Sequence, residues 1–336
     1  MKQFLLLCLT GMLVFADFDK VATTSAPFLK LGVGARAVAT GGAFVAMADD
    51  GNSIYWNPAG MTFMQQAAFS ASHNDWMLDL AHDYLGLVIP LNPTSRFGLA
   101  VTSLTMGEQP VRTLENPEGT GIVYTAYDLA LSAAYAHQIT DRLSFGVTAK
   151  YIQLQAYNEM AGTFAVDIGS ILETDFHGLK IGMALSNFGG DVQFGGRDLI
   201  IDADISEKIR GNYSTDANLR TEPWPLPLLI RIGISLDVMG PQPAMLYSPT
   251  SRLSLALDAD HPNDGPEHLN LGLEYSYREM IYLRGGYRYP YDLESYSMGV
   301  GTRMRFRSLG KVRLDYAVIP AGVFGNSSVL SIELSK

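Results

Sequence analysis

The chain has almost no cysteine and little charge. Its one cysteine, Cys8, lies in an N-terminal apolar run, so the rest of the chain has no thiol for a disulfide or for thiolate catalysis. Asp, Glu, Lys and Arg make up 17% of the 336 residues, where a soluble domain has about 25%. The net charge is −10 and no segment is rich in Lys or Arg, which disfavours nucleic acid as a partner.

Long apolar segments are also missing after residue 15, and a helix that spans a bilayer needs about 20 apolar residues. The apolar run itself covers residues 4–15 and follows Lys2, with the small residues Val14 and Ala16 at its end. This pattern is typical of a secretory signal peptide cut after Ala16, although a buried N-terminal helix would look similar. We predict an exported protein whose residues 1–16 are removed.

Motifs for catalysis or metal binding are absent from the sequence. The six histidines lack zinc-ligand spacing, no G-x-S-x-G occurs, and the acidic stretch 258–265 lacks EF-hand spacing and is interpreted as an exposed loop. Residues 32–37 match G-x-G-x-x-A, but no βαβ unit surrounds them. We therefore predict a non-enzymatic protein with no catalytic residue, no metal and no cofactor.

What the sequence does contain is alternation with a period of two. In residues 252–260, Leu253, Leu255 and Leu257 fall on one face, and the polar residues fall on the other. Such alternation over nine or more residues is typical of a strand with one apolar face. It predicts 14 strands, near 66–74, 83–91, 96–106, 123–138, 142–156, 163–174, 179–187, 226–238, 251–260, 268–278, 281–289, 295–306, 311–319 and 327–335.

The connections between these segments differ in length. Short turns follow the second, fourth, sixth, tenth and twelfth segments, and longer loops follow the odd ones, notably 107–122 and 188–225. The link 239–250 is an exception, because it is long where a short turn is expected. Short turns on one side and long loops on the other are typical of outer-membrane barrels.

These observations predict an all-β fold: a transmembrane, 14-stranded antiparallel outer-membrane β-barrel formed by residues 66–336. A soluble secreted β-sandwich is the alternative, since alternation alone does not say which face is outside. In the barrel, charged side chains of the polar faces would line the lumen: Arg231, Glu274, Arg284, Arg288, Arg303, Arg305 and Asp315.

The stretch SIYWNPAGM, residues 53–61, does not fit the strand pattern. Asn57 can cap a helix and Pro58 suits the first helical position. Irregular backbone at membrane depth must be buried in protein or line a cavity. We therefore predict that residues 17–65 form an N-terminal hatch inside the lumen. Asp49 and Asp50 are expected either in a solvated turn or paired with a lumen arginine, Arg36 or Arg303.

The stretch FLKLGVGARAVATGGAFVAMADDGNSIYWNPAGM, residues 28–61, resembles the N-terminal signature of the PorV/PorQ family of outer-membrane proteins. The resemblance continues in LGLEYSYREMIYLRGGYRY (271–289) and LDYAVIPAGVFGNSSVLSIELS (314–335). It implies membership of the wider FadL-type group and a 14-stranded barrel with a hatch. The hatch motif would comprise Asp49, Asp50, Asn57, Pro58 and Gly60. The C-terminal Lys336 departs from the aromatic end of many barrels, which puts the assembly signal in doubt.

The resemblance implies two possible roles. PorV-like members serve type IX secretion, as shuttles for exported proteins, and this is the role that we predict. FadL-type members pass long-chain fatty acids or other hydrophobic molecules through the outer membrane. The expected partners are outer-membrane lipid and either secreted proteins or hydrophobic small molecules. A ligand would meet an apolar-aromatic group of the hatch, unless that group only packs against the wall: Phe44, Ile54, Tyr55, Trp56, Met61, Phe63 and Met64.

Overall fold

The computed structural model describes residues 21–203, 215–308 and 310–336. The predicted signal peptide, residues 1–16, lies outside the described residues. In the described part of the chain, no helix combines the length and the apolar character that a membrane span requires.

Fourteen long strands within these ranges form a closed antiparallel barrel. Each strand pairs with the next along the chain, and the last pairs with the first, with Ala68 opposite Ser335 and Asp75 opposite Ser328. The predicted barrel is therefore confirmed. The strands are Ala68–Asp75 (β1), Leu80–Pro90 (β2), Ser95–Met106 (β3), Ala126–Gln138 (β4), Leu143–Ala156 (β5), Glu159–Glu173 (β6), Lys180–Gly189 (β7), Leu229–Gly240 (β8), Ser251–Pro262 (β9), His268–Tyr277 (β10), Ile281–Tyr289 (β11), Tyr296–Phe306 (β12), Gly310–Pro320 (β13) and Asn326–Ser335 (β14).

The faces of the strands are polar inside and apolar outside. On β9 the side chains of Leu255 and Leu257 are 40% and 41% exposed, whereas Ser254, Ala256 and Asp258 between them are buried. A soluble sandwich would bury the leucines and expose the aspartate, so that alternative is wrong. An apolar outward face is what a barrel presents to lipid.

The prediction of long loops after all odd strands is wrong. The length difference is confined to the connections 107–125 and 190–228, and β5 passes to β6 through residues 157–158 alone. Tyr157 has a φ of 55°, the left-handed conformation that a two-residue hairpin requires. Because β6 begins at Glu159, residues that looked like a loop belong to the strand. We name the end with connections 107–125 and 190–228 the long-loop end, and the opposite end, with 91–94 and 139–142, the short-turn end.

Short elements accompany the barrel. Residues 21–67 contain two α-helices, Ala35–Ala39 (α1) and Ser53–Trp56 (α2), and two 3₁₀ helices, Pro27–Lys30 and Pro58–Phe63. The described residues of the connections contain three further 3₁₀ helices and six short strands: Met77–Asp79, Arg197–Leu199 and Gly322–Phe324; Gln109–Pro110, Val123–Tyr124, Gly195–Gly196, Ile200–Ala203, Thr215–Asn218 and Leu246–Tyr247.

Residues 26–64, named here the N-terminal segment, pack against the buried face of the barrel wall. Phe28 belongs to one apolar cluster with Ile152 of β5. Val38 belongs to another cluster with Ala317 of β13. Phe44 lies in a third, with strand residues from β2, β3, β4 and β9. The N-terminal segment thus contacts strands far apart around the barrel.

Candidate functional site

A buried network of charges joins the N-terminal segment to the wall. Arg36 on α1 donates from Nε and Nη2 to the two carboxylate oxygens of Glu274 on β10, at 2.8 and 3.0 Å. Its Nη1 donates to Asp50 at 3.2 Å and also contacts Asp49. A bidentate guanidinium–carboxylate pair fixes orientation as well as charge. Of the two arginines predicted to pair with the Asp49–Asp50 dipeptide, Arg36 is the one that does so.

The network closes through two arginines of the wall. Arg284 on β11 donates to Glu274 at 2.6 Å and to Asp315 at 2.7 Å. Arg313 on β13 donates to Asp50 at 2.6 Å, and its Nε lies 3.0 Å from Asp315. Each of these groups is buried. Separating two such charges leaves at least one of them uncompensated in a medium that solvates it poorly, which costs several kcal/mol.

The buried carboxyl of Asp50 stays ionised in this network. Burial alone would raise the pKa of Asp50, but the guanidinium groups of Arg313 and Arg36 outweigh it and hold the pKa below its ordinary value. Burial likewise disfavours the charged form of Arg36, and the carboxylates of Asp49, Glu274 and Asp50 outweigh it and raise the pKa.

This direction of shift sets the pH dependence of the N-terminal segment. A carboxyl whose pKa is lower in the folded state than in the unfolded state stabilises the folded state by a constant amount above the unfolded-state pKa. This contribution is lost as the pH falls from the unfolded-state pKa through the folded-state pKa. The measurement is the protection of amides in residues 26–64 against hydrogen exchange, corrected for the intrinsic exchange rate at each pH. Asp50→Asn should lower this protection at pH 7, whereas the same change at the exposed Asp216 should alter nothing. The difference between the unchanged protein and Asp50→Asn should stay constant from pH 7 to about 4, the ordinary pKa of Asp, and shrink below it.

The NPAG turn is held by hydrogen bonds to the wall. Asn57 accepts from the N–H of Ala59 at 3.2 Å, so the predicted cap is present, at the start of a 3₁₀ helix rather than an α-helix. The Asn57 Nδ2 donates to the carbonyls of Val45 at 2.9 Å and of Ser170 on β6 at 3.1 Å.

Glycines make this close approach possible. A Cβ on Gly169 of β6 would lie 2.1 Å from Oδ1 of Asn57 and 2.8 Å from Cδ of Pro58. A Cβ on Gly60 would lie 2.1 Å from the carbonyl oxygen of Ala48. A larger residue at position 169 would have to displace the side chains of Asn57 and Pro58, and one at position 60 would have to displace the backbone of Ala48, so both positions need glycine for space.

The apolar group predicted to contact a ligand is mostly buried. Phe44, Ile54, Tyr55, Trp56, Met61 and Met64 share one apolar cluster and are at most 7% exposed. Phe63 lies outside that cluster, and the ammonium of Lys180 stands 4.1 Å from its ring centroid. The burial fits packing of the segment against the wall, which was the alternative to a ligand role. Trp56 also borders a cavity.

That cavity, named here the long-loop cavity, has a volume of about 420 Å³ and lies at the long-loop end. Its wall includes Trp76 and Tyr291 from two connections, Trp56 from the N-terminal segment, and Arg231 and Asp260 from β8 and β9. The Arg231 guanidinium lies over the Trp56 ring, 5.0 Å from its centroid. The cavity therefore combines aromatic faces with buried charged groups.

The other predicted lumen charges are spread along the barrel. Arg288 also borders the long-loop cavity, donating to the carbonyl of Gly41 at 3.1 Å and to Glu294 at 3.3 Å. Arg303 lies towards the short-turn end and donates to Glu279 at 3.4 Å. Arg305 is exposed near that end. Neither Arg303 nor Arg305 takes part in the network around Arg36.

Three buried acidic residues were missed or misplaced from the sequence. The stretch 258–265 is not an exposed loop, because β9 runs to Pro262 and the side chains of Asp258, Asp260 and Asp264 are buried. Asp258 accepts from the backbone N–H groups of Phe44 and Val45 at 2.7 and 2.8 Å. The alternation of β9 put Asp258 on its polar face, and that signal could have identified it.

Solved structures with a similar fold are hydrocarbon transporters and a FadL homologue. The Pseudomonas putida toluene transporter TodX is 14% identical, over 90% of this chain and 96% of that one, with a TM-score of 0.54. The Ralstonia pickettii toluene transporter TbuX is 13% identical, over 90% of this chain and 97% of that one, with a TM-score of 0.51. A Pseudomonas aeruginosa FadL homologue is 13% identical, over 90% of this chain and 96% of that one, with a TM-score of 0.50. At such identities the likeness shows the FadL-type barrel fold alone.

Comparison with sequences gives the family. No curated protein matches this chain. A family model described as the type IX secretion system protein PorV matches residues 15–203, which is more than half of the chain. The chain thus belongs to the PorV family.

Proposed function

We propose that this chain is a non-enzymatic outer-membrane barrel that assists protein secretion by holding exported proteins at the outer surface. The observation that carries the proposal is the buried contact between the N-terminal segment and the barrel wall. The network of Arg36, Glu274, Arg284, Asp315 and Arg313 joins the segment to the wall, and the long-loop cavity lies at one end. A buried charge network suits a closed barrier better than an apolar conduit, because charges in apolar surroundings are costly.

In this proposal residues 1–16 are a signal peptide, residues 17–65 form a hatch, and residues 66–336 form the membrane barrel. The support for a hatch is the burial of residues 26–64 and their contacts with β2, β5 and β13. The two ends of the wall, Ala68 and Ser335, pair at the short-turn end. In outer-membrane barrels short turns face the periplasm and long loops face outward, so the cavity would open outward.

The outward end also carries apolar side chains that neither the wall nor the lipid would cover. Leu114, in the connection 107–125, and Val323, in the connection after β13, are almost fully exposed, and Trp224 is half exposed. In this proposal these side chains are available to contact a protein partner at the long-loop end.

Uptake of hydrophobic molecules is the second candidate. Leu31, Val38 and Trp56 give the long-loop cavity an apolar portion, and the FadL-type fold is shared with proteins described as toluene transporters. An uptake role requires the N-terminal segment to move so that a ligand passes the charge network. The two candidates thus differ in whether residues 26–64 stay in place.

A deletion strain, with the gene restored on a plasmid as the control, separates the two candidates. We expect loss of exported proteins from the cell surface and medium, with unchanged growth on long-chain fatty acids and unchanged uptake of toluene. The contrary result, normal secretion with lost growth or lost uptake, would favour the second candidate and overturn the first.

A further inference from the structure

We infer that the long-loop cavity binds an uncharged saccharide. The inference rests on the proposed function only in placing this cavity at the outer face of the membrane. Four properties of the cavity wall match this ligand class.

The first property is a set of buried polar atoms that face no protein partner. Among the described residues, no hydrogen-bond partner lies within reach of Oδ1 of Asp260, Oδ1 of Asp264, Oδ1 of Asn270 or Nε of Arg231. All four residues border the cavity, and each is at least nine-tenths buried. Arg231 Nε and Asp260 Oδ1 are 3.9 Å apart, too far for a hydrogen bond. A bound group that pairs with these atoms would supply the hydrogen bonds that the protein leaves unmade.

The second property is charge balance. Lys30 Nζ donates to the other oxygen of Asp264 at 2.7 Å, and Arg288 donates to Glu294 at 3.3 Å. Arg231 is the cation next to Asp260. Each carboxylate of the wall thus already has a neighbouring cation. A charged ligand of either sign would meet a repelling group beside each attracting one, which favours an uncharged ligand.

The third property is the ratio of acceptors to donors. The unpartnered atoms are three acceptors, on Asp260, Asp264 and Asn270, and one donor, on Arg231. A sugar hydroxyl carries one rotatable donor and two acceptor lone pairs, so a group of hydroxyls can adjust to this ratio. A peptide backbone carries fixed donors and acceptors in equal number and would leave carbonyls unpaired. A hydrocarbon would leave all four atoms unpaired.

The fourth property is the aromatic wall. Trp76 and Tyr291 are partly exposed at the rim, and Trp56 lies deeper. The Tyr291 ring is held 4.1 Å from the ring of His268, between centroids, and Trp76 Nε1 donates to Glu294 at 3.4 Å. Flat aromatic faces pack against the C–H face of a sugar ring while hydroxyls reach the polar atoms. The volume of about 420 Å³ lies in the range of small-molecule sites, about 300–1,000 Å³.

Calorimetric titration of the purified full-length protein tests this inference. The protein is held in an amine-oxide detergent, because sugar-headed detergents would compete for the cavity. The probes are maltotriose, N,N′,N″-triacetylchitotriose and the neutral sugar fragments that acid hydrolysis releases from the lipopolysaccharide of the producing cells, separated from charged fragments by ion exchange. The third probe separates a membrane-bound source of saccharide from a free one. An N-acetylated, C-amidated trialanine serves as the peptide probe.

We expect saturable binding of at least one saccharide. Asn270→Leu should weaken it at least tenfold, whereas Asn218→Leu, the same change at an exposed residue of the connection 190–228, should not. Trp76→Ala at the rim is the second variant and should weaken saccharide binding to a similar degree. It keeps the inference testable if Asn270→Leu fails to fold. Heat-modifiable gel migration verifies the fold of each variant.

Three outcomes would overturn the inference: binding of no saccharide, undiminished binding by a folded Asn270→Leu or Trp76→Ala protein, or binding of the peptide probe alone. The secretion assay is scored separately. A variant that secretes normally but binds no saccharide would leave the proposed function intact, and a saccharide-binding protein whose deletion leaves secretion normal would overturn only the proposed function.

Discussion

Replacing Arg313 with leucine is expected to raise the hydrogen-exchange rates of amides in residues 26–64 by roughly two to three orders of magnitude. Arg313 is the wall residue that donates to Asp50 at 2.6 Å and stands 3.4 Å from Glu333. Removing one partner from a buried ion pair costs about 3–5 kcal/mol. Without Arg313, the carboxylates of Asp50 and Asp315 each keep one arginine, and Glu333 loses its arginine partner. Local opening of the N-terminal segment should therefore become far more frequent.

Arg305→Leu is the matched control. It makes the same change on the neighbouring strand β12, but Arg305 is exposed. Exchange in the N-terminal segment should stay unchanged, since an exposed ion contributes only about 0–1 kcal/mol. Equal exchange rates in the two variants would show that the network does not hold residues 26–64 against the wall.

Trypsin is expected to cleave the Arg36–Ala37 peptide bond at least roughly 30-fold faster in Gly169→Ala than in the unchanged protein. The added methyl group would lie 2.1 Å from Oδ1 of Asn57, so the Asn57 side chain must leave its place. The carbonyls of Val45 and Ser170 then lose the Asn57 donor. Unpaired buried groups cost about 1–3 kcal/mol each, and 2 kcal/mol is about 30-fold in an equilibrium.

Gly285→Ala provides the control for that variant. A Cβ at Gly285 on β11 would meet no atom within 4 Å, so the same added methyl group finds open space. Its trypsin cleavage should match that of the unchanged protein. If Gly169→Ala is equally resistant, the contact of the NPAG turn with β6 does not determine the stability of the N-terminal segment.

The wall of the barrel could be predicted because its signal is local. Period-two alternation is carried by each strand separately, and the burial of Asp258 beside the exposed Leu257 is the pattern that the sequence indicates. The hairpin at 157–158 could not be predicted in the same way. Position 157 has a left-handed φ, but it is occupied by Tyr and not by Gly or Asn, the residues that would indicate a tight turn.

The site was only partly predictable because its contacts join distant parts of the chain. The sequence narrowed the partner of Asp50 to Arg36 or Arg303. Arg36 is confirmed, Arg303 is wrong, and the second partner is Arg313, which is 263 residues away. Alternation placed Arg313 on the polar face of its strand, but the register of the barrel decides which polar residues meet.

Single-channel conductance of the purified protein in a planar lipid bilayer tests the central claim most directly. The claim is that residues 26–64 and their charge network close the barrel. It predicts no steady ionic current through the unchanged protein, and a measurable current through Arg313→Leu and Gly169→Ala but not through Arg305→Leu. A steady current through the unchanged protein would contradict it.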